Sequence, residues 1–310
     1  MITVKGLTRY YGDVKAVDGI DFEIEKGEIV GLLGPNGAGK TTTLRVLTGY
    51  IRPTSGTVVI NRKRLEENLI GIKKEIGYLP ESAPLYSDMI VYDYLKYIAS
   101  IQEVPNSKVE ERILYVVDKC GLKQVINKKI GELSKGYRQR VGLGHAIIHD
   151  PEILILDEPT SGLDPNQIVE IRDLIRELGK HKTVILSTHI LSEVEAVCGR
   201  IIIINRGKIV ADDLTSRLIR EKQSTGTIKL IIKTDDDKKE IEDYLSIKGI
   251  DKIEVNKQKN MKEVYIYSHS PNSIIEELYQ RIKKSNWILY EMSQEKNTLE
   301  SIFQELTKEA

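Results

Sequence analysis

Cysteine is scarce in this chain: among 310 residues there are two, Cys120 and Cys198. Each sits in an apolar, helix-like context far from the other, which speaks against a disulfide framework or a thiolate metal cluster and for ordinary buried thiols in a reducing compartment. Net charge is missing too. The 46 Lys and Arg balance 46 Asp and Glu, so the chain lacks the basic excess of a protein whose main work is gripping a phosphate backbone, and nucleic acid is not an expected partner. No charged-then-apolar leader opens MITVKGLTRYYG, and no apolar run approaches the roughly 18 residues needed to span a bilayer. The chain is expected to be soluble and cytoplasmic, with any membrane role reached through a partner. Four of the five histidines, His145, His149, His181 and His269, lack metal-ligand spacing to acidic or thiol partners and read as structural or surface residues.

Residues Gly34 to Thr41 read GPNGAGKT and follow the apolar run Ile29 to Leu33. That is the phosphate-binding pattern GxxxxGK[ST] in its proper setting, a buried strand before it and a helix-forming TTLRVLTG after it. Gly34, Gly37 and Gly39 are expected to turn the backbone with positive φ, and Pro35, Asn36 and Ala38 complete the loop. Its amides then converge on phosphate at a helix N-terminus. Lys40 reaches the β- and γ-phosphates, Thr41 offers a hydroxyl to Mg²⁺, and Thr42 extends the first helical turn. ATP and Mg²⁺ are the implied cofactors.

The chain is too long for one small core, so a large unit plus a smaller one is expected. Near-continuous apolar runs at Ile153 to Leu156, Thr183 to Leu186 and Ile201 to Ile204 read as central parallel strands, and Ile168, Ile171, Leu174, Ile175 and Leu178 as the core stripe of an intervening helix. Short strands are expected at Ile2 to Val4 and Ile20 to Ile24. An α/β nucleotide-binding core follows, interrupted by a helical subdomain at about 82–135, where Ser107 with Glu110 forms a capping-box pattern and Gly121 stops a helix. The first unit is placed at 1–220, a polar linker at 221–226, and a C-terminal α+β unit at 227–310. In the latter the pattern reads βαββαβ, the ferredoxin-like order, with DDDKK as a turn, Ser273 and Glu276 capping a helix, Trp287 in the core and a final helix bearing Leu299, Ile302, Phe303 and Leu306.

The run ILILDEP ends a buried strand in two carboxylates. Asp157 is placed to hold the Mg²⁺ shell and Glu158 to orient and activate a water. An acidic pair standing alone would more often be a solvated strand end, but it is accompanied by LSKGYRQR at Leu133 to Arg140, SGLD at Ser161 to Asp164 and STH at Ser187 to His189. With these motifs in order over roughly residues 1–215, the chain resembles the ATP-binding subunits of ABC transporters.

The resemblance implies a P-loop ATPase that works as a head-to-tail homodimer or paired cassette, with two ATP sandwiched between the phosphate loop of one subunit and the signature motif of the other. On it, Ser134, Lys135, Gly136 and Tyr137 form the signature, Ser134 and Gly136 meeting the γ-phosphate in trans. His189 senses that phosphate and aligns the water with Glu158, Asp164 links the two sites, and Tyr11 stacks on adenine. Two departures stand out: Lys135 and Tyr137 replace the usual second glycine and glutamine, and Glu81 in GYLPE stands where many relatives carry a Mg²⁺-touching glutamine. A carboxylate can still ligate Mg²⁺, while adding negative charge beside the phosphates. The resemblance further implies a separate multi-spanning permease as partner, a position on the inner face of the cell membrane, and, from the βαββαβ tail in place of a β-barrel, export. Alternatives are an importer ATPase and a soluble ABC ATPase of translation or DNA repair, the latter opposed by a single phosphate loop, no long heptad run and no cysteine cluster.

Overall fold

A computed structural model describes residues 2–218, 226–258, 261–268, 271–295 and 299–308. The chain divides into two units, Met1–Thr215 with Leu306–Ala310, and Ser216–Glu305. The first carries two sheets. In the smaller, β1 (Ile2–Tyr11) lies between β2 (Val14–Ile24) and β4 (Ser55–Ile60), with β5 (Lys63–Arg64) at the edge. Both β1 and β2 outrun the short strands expected from sequence, because register shifts along β1, near glycines at positive φ such as Gly6 and Gly19, break the period-two alternation that would have marked their full length.

The larger sheet runs β10 (Lys208–Leu214), β9 (Arg200–Asn205), β3 (Ile29–Leu33), β8 (Thr183–Thr188), β7 (Ile153–Asp157) and β6 (Ile76–Leu79), parallel from β9 to β6 with β10 antiparallel at the edge. Every residue of β7 and β8 is buried, as central strands covered on both faces require. Between the sheets lies α1 (Lys40–Leu47), whose Leu44, Val46 and Leu47 join Val4 and Leu7 of one sheet and Ile155, Ile185 and Ile202 of the other in one core. Around them lie α2 (Leu69–Glu75), α3 (Val91–Ile101), α4 (Val109–Lys119), α5 (Lys135–Ile147), α6 (Pro165–Gly179) and α7 (Leu191–Val197). Ser107 falls inside a 3-10 turn, Asn106–Lys108, and caps nothing: α4 begins at Val109 after Lys108, without a side-chain cap. Pro105 starts that turn two residues earlier than the capping pattern supposes. Gly121 does close α4, at φ 65.

In the second unit, β11 (Gly226–Lys233), α8 (Lys238–Leu245), β12 (Lys252–Gln258), β13 (Met261–Ser268), α9 (Pro271–Lys284) and β14 (Ile288–Glu295) follow in sequence; α10 (Leu299–Lys308) comes after them, its residues from Leu306 counted with the first unit. The sheet order β12-β13-β11-β14, antiparallel throughout, is the ferredoxin-like arrangement. Ile241 and Leu245 of α8 and Ile274, Leu278 and Ile282 of α9 cover Ile228, Leu230, Val264 and Ile266 on one face. Part of the supposed turn DDDKK is helix, since Asp237 makes a capping box with Glu240 and Lys238 opens α8. Ser273 lies within α9 rather than capping it, because the helix starts at Pro271, whose fixed φ suits a first turn. Trp287 packs against this core and donates its Nε1–H to Asp236 at 2.6 Å. Linker residues 221–225 and His269 lie outside the described residues.

Candidate functional site: a phosphate cleft at the carboxyl edge of the sheet

Strands β7, β8 and β3 are neighbours, and their register pairs Asp157 with Ser187 and Leu33 with Thr188. Three segments distant in sequence therefore end side by side at the carboxyl edge, where open α/β sheets place their ligands. There they surround a cleft of about 450 Å³ lined by Ala16, the loop Asn36 to Thr42, Glu81, Glu158, Ser161 and His189.

The loop's glycines serve different ends. Gly37 and Gly39 take φ of 80 and 110, as expected, but Gly34 does not; its requirement is space, since a Cβ there would lie 2.2 Å from the Ile204 carbonyl oxygen. Gly39 is the N-cap of α1 and offers no side chain to cap it, so the first-turn amides of Lys40, Thr41 and Thr42, which have no acceptor within the helix, face an anion site.

Lys40 is 6% exposed, and its Nζ donates to the carbonyls of Gly34 at 2.8 Å and Pro35 at 3.2 Å. Glu158 Oε1 lies 3.7 Å away. Burial lowers the lysine's pKa, opposed by the carboxylates of Glu158 and Asp157. Asp157, 1% exposed, accepts at Oδ1 from the Thr41 hydroxyl at 3.2 Å and from the Ser187 hydroxyl. Its Oδ2 is buried without a partner, which costs free energy unless a cation or water takes it. An unfilled carboxylate oxygen beside a threonine hydroxyl fits a hard divalent cation. Among the described residues no three His, Cys, Asp or Glu side chains form a metal cage.

Glu158 takes the left-handed φ of 47, a strained value for a non-glycine residue. Its amide is held by Ser187, donating to the carbonyl at 3.1 Å and to Oγ at 3.2 Å. The turn swings the carboxylate toward His189, whose Nδ1 stands 3.0 and 2.9 Å from its two oxygens. The His189 side chain is 47% exposed against 8% for Glu158, so the pair spans the step from interior to solvent.

Of the remaining expected residues, Glu81 lines the cleft, whereas Tyr11, Ser134 to Tyr137 and Asp164 do not. Tyr11 is exposed near the turn joining β1 to β2, outside the lining, with the Arg9 guanidinium 4.8 Å above its ring. Ser134 is the N-cap of α5, accepting from the Tyr137 amide at 3.3 Å. Asp164 caps α6 by accepting from the Gln167 amide at 3.0 Å, a role that sequence reasoning missed. The two helix starts pack together, since a Cβ on Gly136 would meet the Gln167 side chain at 2.5 Å and one on Gly162 would meet Lys135 Nζ. The signature segment thus stands next to Asp164, and none of residues 134–137 lines the cleft of its own chain. Sequence reasoning also missed Ala16 and Ser161 in the lining and the hydroxyl of Ser187, which sits in the STH motif and could have been found there.

Residues 17–161 match the family described as ABC transporter. A second family, described as AAA domain, putative AbiEii toxin, Type IV TA system, matches residues 129–195. The uncharacterized ABC transporter ATP-binding protein YxlF of Bacillus subtilis is 38% identical over 234 residues, covering 75% of this chain and 77% of that protein. The bacitracin transport ATP-binding protein BcrA of Bacillus licheniformis is 39% identical over 214 residues, 68% and 69% of the two chains. Among solved structures, the dimeric post-hydrolysis state of the ATP-binding cassette MJ0796 bound to ADP and Pi superposes with a TM-score of 0.64 at 25% identity, covering 69% of this chain and 98% of that one.

Proposed function

This chain belongs to the ABC transporter ATP-binding family and is an ATPase, and from that premise we propose that it drives an exporter whose membrane-spanning subunit is a separate polypeptide. The observation that carries the catalytic part is the convergence of Lys40, Glu158 and His189, at 3.7 Å and 2.9 Å from one another in turn, beside the unpartnered Asp157 Oδ2. In this reading Lys40 and the first turn of α1 bind the β- and γ-phosphates. Thr41, Asp157 and Glu81 would hold Mg²⁺, which would offset the phosphate charge. Glu158 accepts the proton of the attacking water, and His189 keeps its carboxylate in line. Tyr11, exposed at the end of β1, stacks on adenine.

Ser134 to Tyr137, exposed in part and outside the lining of their own cleft, suit a role in trans, with two chains head to tail and Asp164 between the sites. The likeness to a dimeric cassette bound to ADP and Pi supports that arrangement.

The segment after β6 supports a partner. Glu81 lines the phosphate cleft, while Leu79, Pro80 and Ser82 line a second, more apolar groove of about 480 Å³ with Tyr50, Ala83 and Ala146. One short stretch of chain thus touches both, and a permease segment seated in the groove would feel the state of the cleft. No helix among the described residues is long and apolar enough to cross a membrane, which agrees with a peripheral position on the inner face. Export is favoured by the likeness to a bacitracin transport ATP-binding protein and by a ferredoxin-like tail in place of a β-barrel.

A tagged pull-down of the full chain from detergent-solubilised membranes of the source cell tests the proposal. A multi-spanning membrane protein in stoichiometric amount is the expected catch; recovery of ribosomal or DNA-repair proteins alone would overturn it in favour of a soluble ATPase.

A further inference from the structure

Glu193, in the first turn of α7, is 1% exposed, and among the described residues no cation pairs with it. A carboxyl group buried without a cation costs free energy unless its oxygens are satisfied by hydrogen bonds. Both are. Oε1 accepts from the Thr160 hydroxyl and Oε2 accepts from the Thr188 hydroxyl at 2.8 Å, and the two threonines are themselves 3% and 0% exposed. Thr160 stands two residues after Glu158, and Thr188 stands one residue before His189.

We propose that Glu193 is a positioning residue for ATP hydrolysis, a two-pronged clamp that holds the Glu158 loop and the His189 loop at the spacing their side chains need. The inference rests on the roles proposed above for Glu158 and His189.

The hydrogen bonds around the clamp explain why one carboxyl group reaches both. Thr188 Oγ1, while donating to Glu193, accepts from the Ile190 amide at 3.0 Å, which fixes the backbone on either side of His189. The Thr160 carbonyl accepts from the Leu163 amide at 3.2 Å, and the Glu158 carbonyl from the Ser161 amide at 3.1 Å. Displacement of Thr160 therefore propagates toward Ser161 in the cleft lining and toward Asp164. His189 has little packing of its own, its side chain being 47% exposed, so the geometry of its bond to Glu158 is set by the backbone that carries it. A carboxylate offers each of the two donating hydroxyls its own acceptor oxygen. Glutamine has the same size but presents one acceptor and one donor.

The test uses the purified full chain and steady-state hydrolysis over a range of MgATP. Glu193→Gln and Thr160→Val are expected to lower kcat about tenfold or more, as for a lost buried hydrogen bond at the reacting geometry, with KM within about twofold of wild type; the thermal midpoint falls as well, since a buried partner is left unsatisfied. Thr160→Ser keeps the hydroxyl and is expected to recover most of what Thr160→Val loses. The proposal is overturned if Glu193→Gln and Thr160→Val both turn over at the wild-type rate. It is equally overturned if kcat falls only together with nucleotide affinity and serine does not rescue, since that is a merely structural role. Should Glu193→Gln not fold, the Thr160 pair decides by the same criteria. Glu158→Gln is run alongside: wild-type turnover there brings down the assignment of the base, whereas the clamp is judged on the Glu193 and Thr160 variants.

Discussion

Replacing Glu158 by glutamine removes one negative charge and one proton acceptor while keeping the side chain's size. The strained backbone is untouched, because the bonds that hold it run from the Glu158 amide to Ser187. A glutamine carboxamide can still accept from His189, so the local geometry should persist. What is lost is general-base catalysis, which contributes about 10² to 10⁴ in rate, or about 3–5 kcal/mol of barrier. Binding should respond in the opposite sense. The Glu158 carboxylate is 3.7 Å from the Lys40 ammonium, an attraction worth up to about 4 kcal/mol at an effective dielectric of about 20, and it competes with a phosphate for the same cation. With the charge removed, Lys40 is freer for nucleotide, and ATP affinity should hold or rise. Turnover is followed as phosphate release at saturating MgATP, and affinity with a fluorescent ATP analogue, since the single tryptophan, Trp287, belongs to the C-terminal unit. The reasoning fails if the variant keeps more than about a tenth of the wild-type kcat, or if turnover falls only in step with binding.

Lys40→Ala removes a buried ammonium from the phosphate loop. With charge-assisted hydrogen bonds worth about 1.5–3 kcal/mol each to two phosphates, calorimetry should show affinity weakened by about 10² to 10⁴, and unchanged affinity would argue against the phosphate-loop reading. His149 governs an acid limit. Burial lowers its pKa from 6.5 to about 4, and its Nε2 lies 3.2 Å from the Ile76 carbonyl oxygen. Because the folded value is the depressed one, the unfolded chain takes up the proton first as pH falls, so stability present above pH 6.5 is lost progressively down to about pH 4. The shift corresponds to about 3 kcal/mol, with half-buried His145, its pKa also lowered by burial, adding loss in the same direction. Denaturant unfolding of His149→Gln between those pH values should show a shallower decline than wild type, and an identical slope would refute the assignment.

How much was legible beforehand follows from how local each signal is. The phosphate loop could be read because glycine, lysine and threonine act there within one turn of the chain, and the Asp157–Glu158 pair because an apolar strand leads directly into it. Even so, Gly34 was assigned the wrong reason: the carbonyl that excludes a side chain belongs to Ile204, on a neighbouring strand. Ser107 and Ser273 satisfy a local capping pattern, yet each helix starts at another residue, since a proline nearby sets the backbone first. In SEVEAV, Glu193 looks like one more surface charge on an amphipathic helix, and nothing within four residues of it distinguishes it from Glu195.

By itself, then, the sequence determined the chemistry available: which residues could meet phosphate, which carboxylates end a buried strand, and the order of strands and helices in the second unit, because these depend on neighbours along the chain. Only the tertiary structure decided which of those groups meet. The strand order β3-β8-β7 and its register bring Lys40 and His189 each within 4 Å of Glu158, and the packing of α7 buries Glu193 between two loops, because hydrogen-bonded registry and close packing are set by partners far away in sequence.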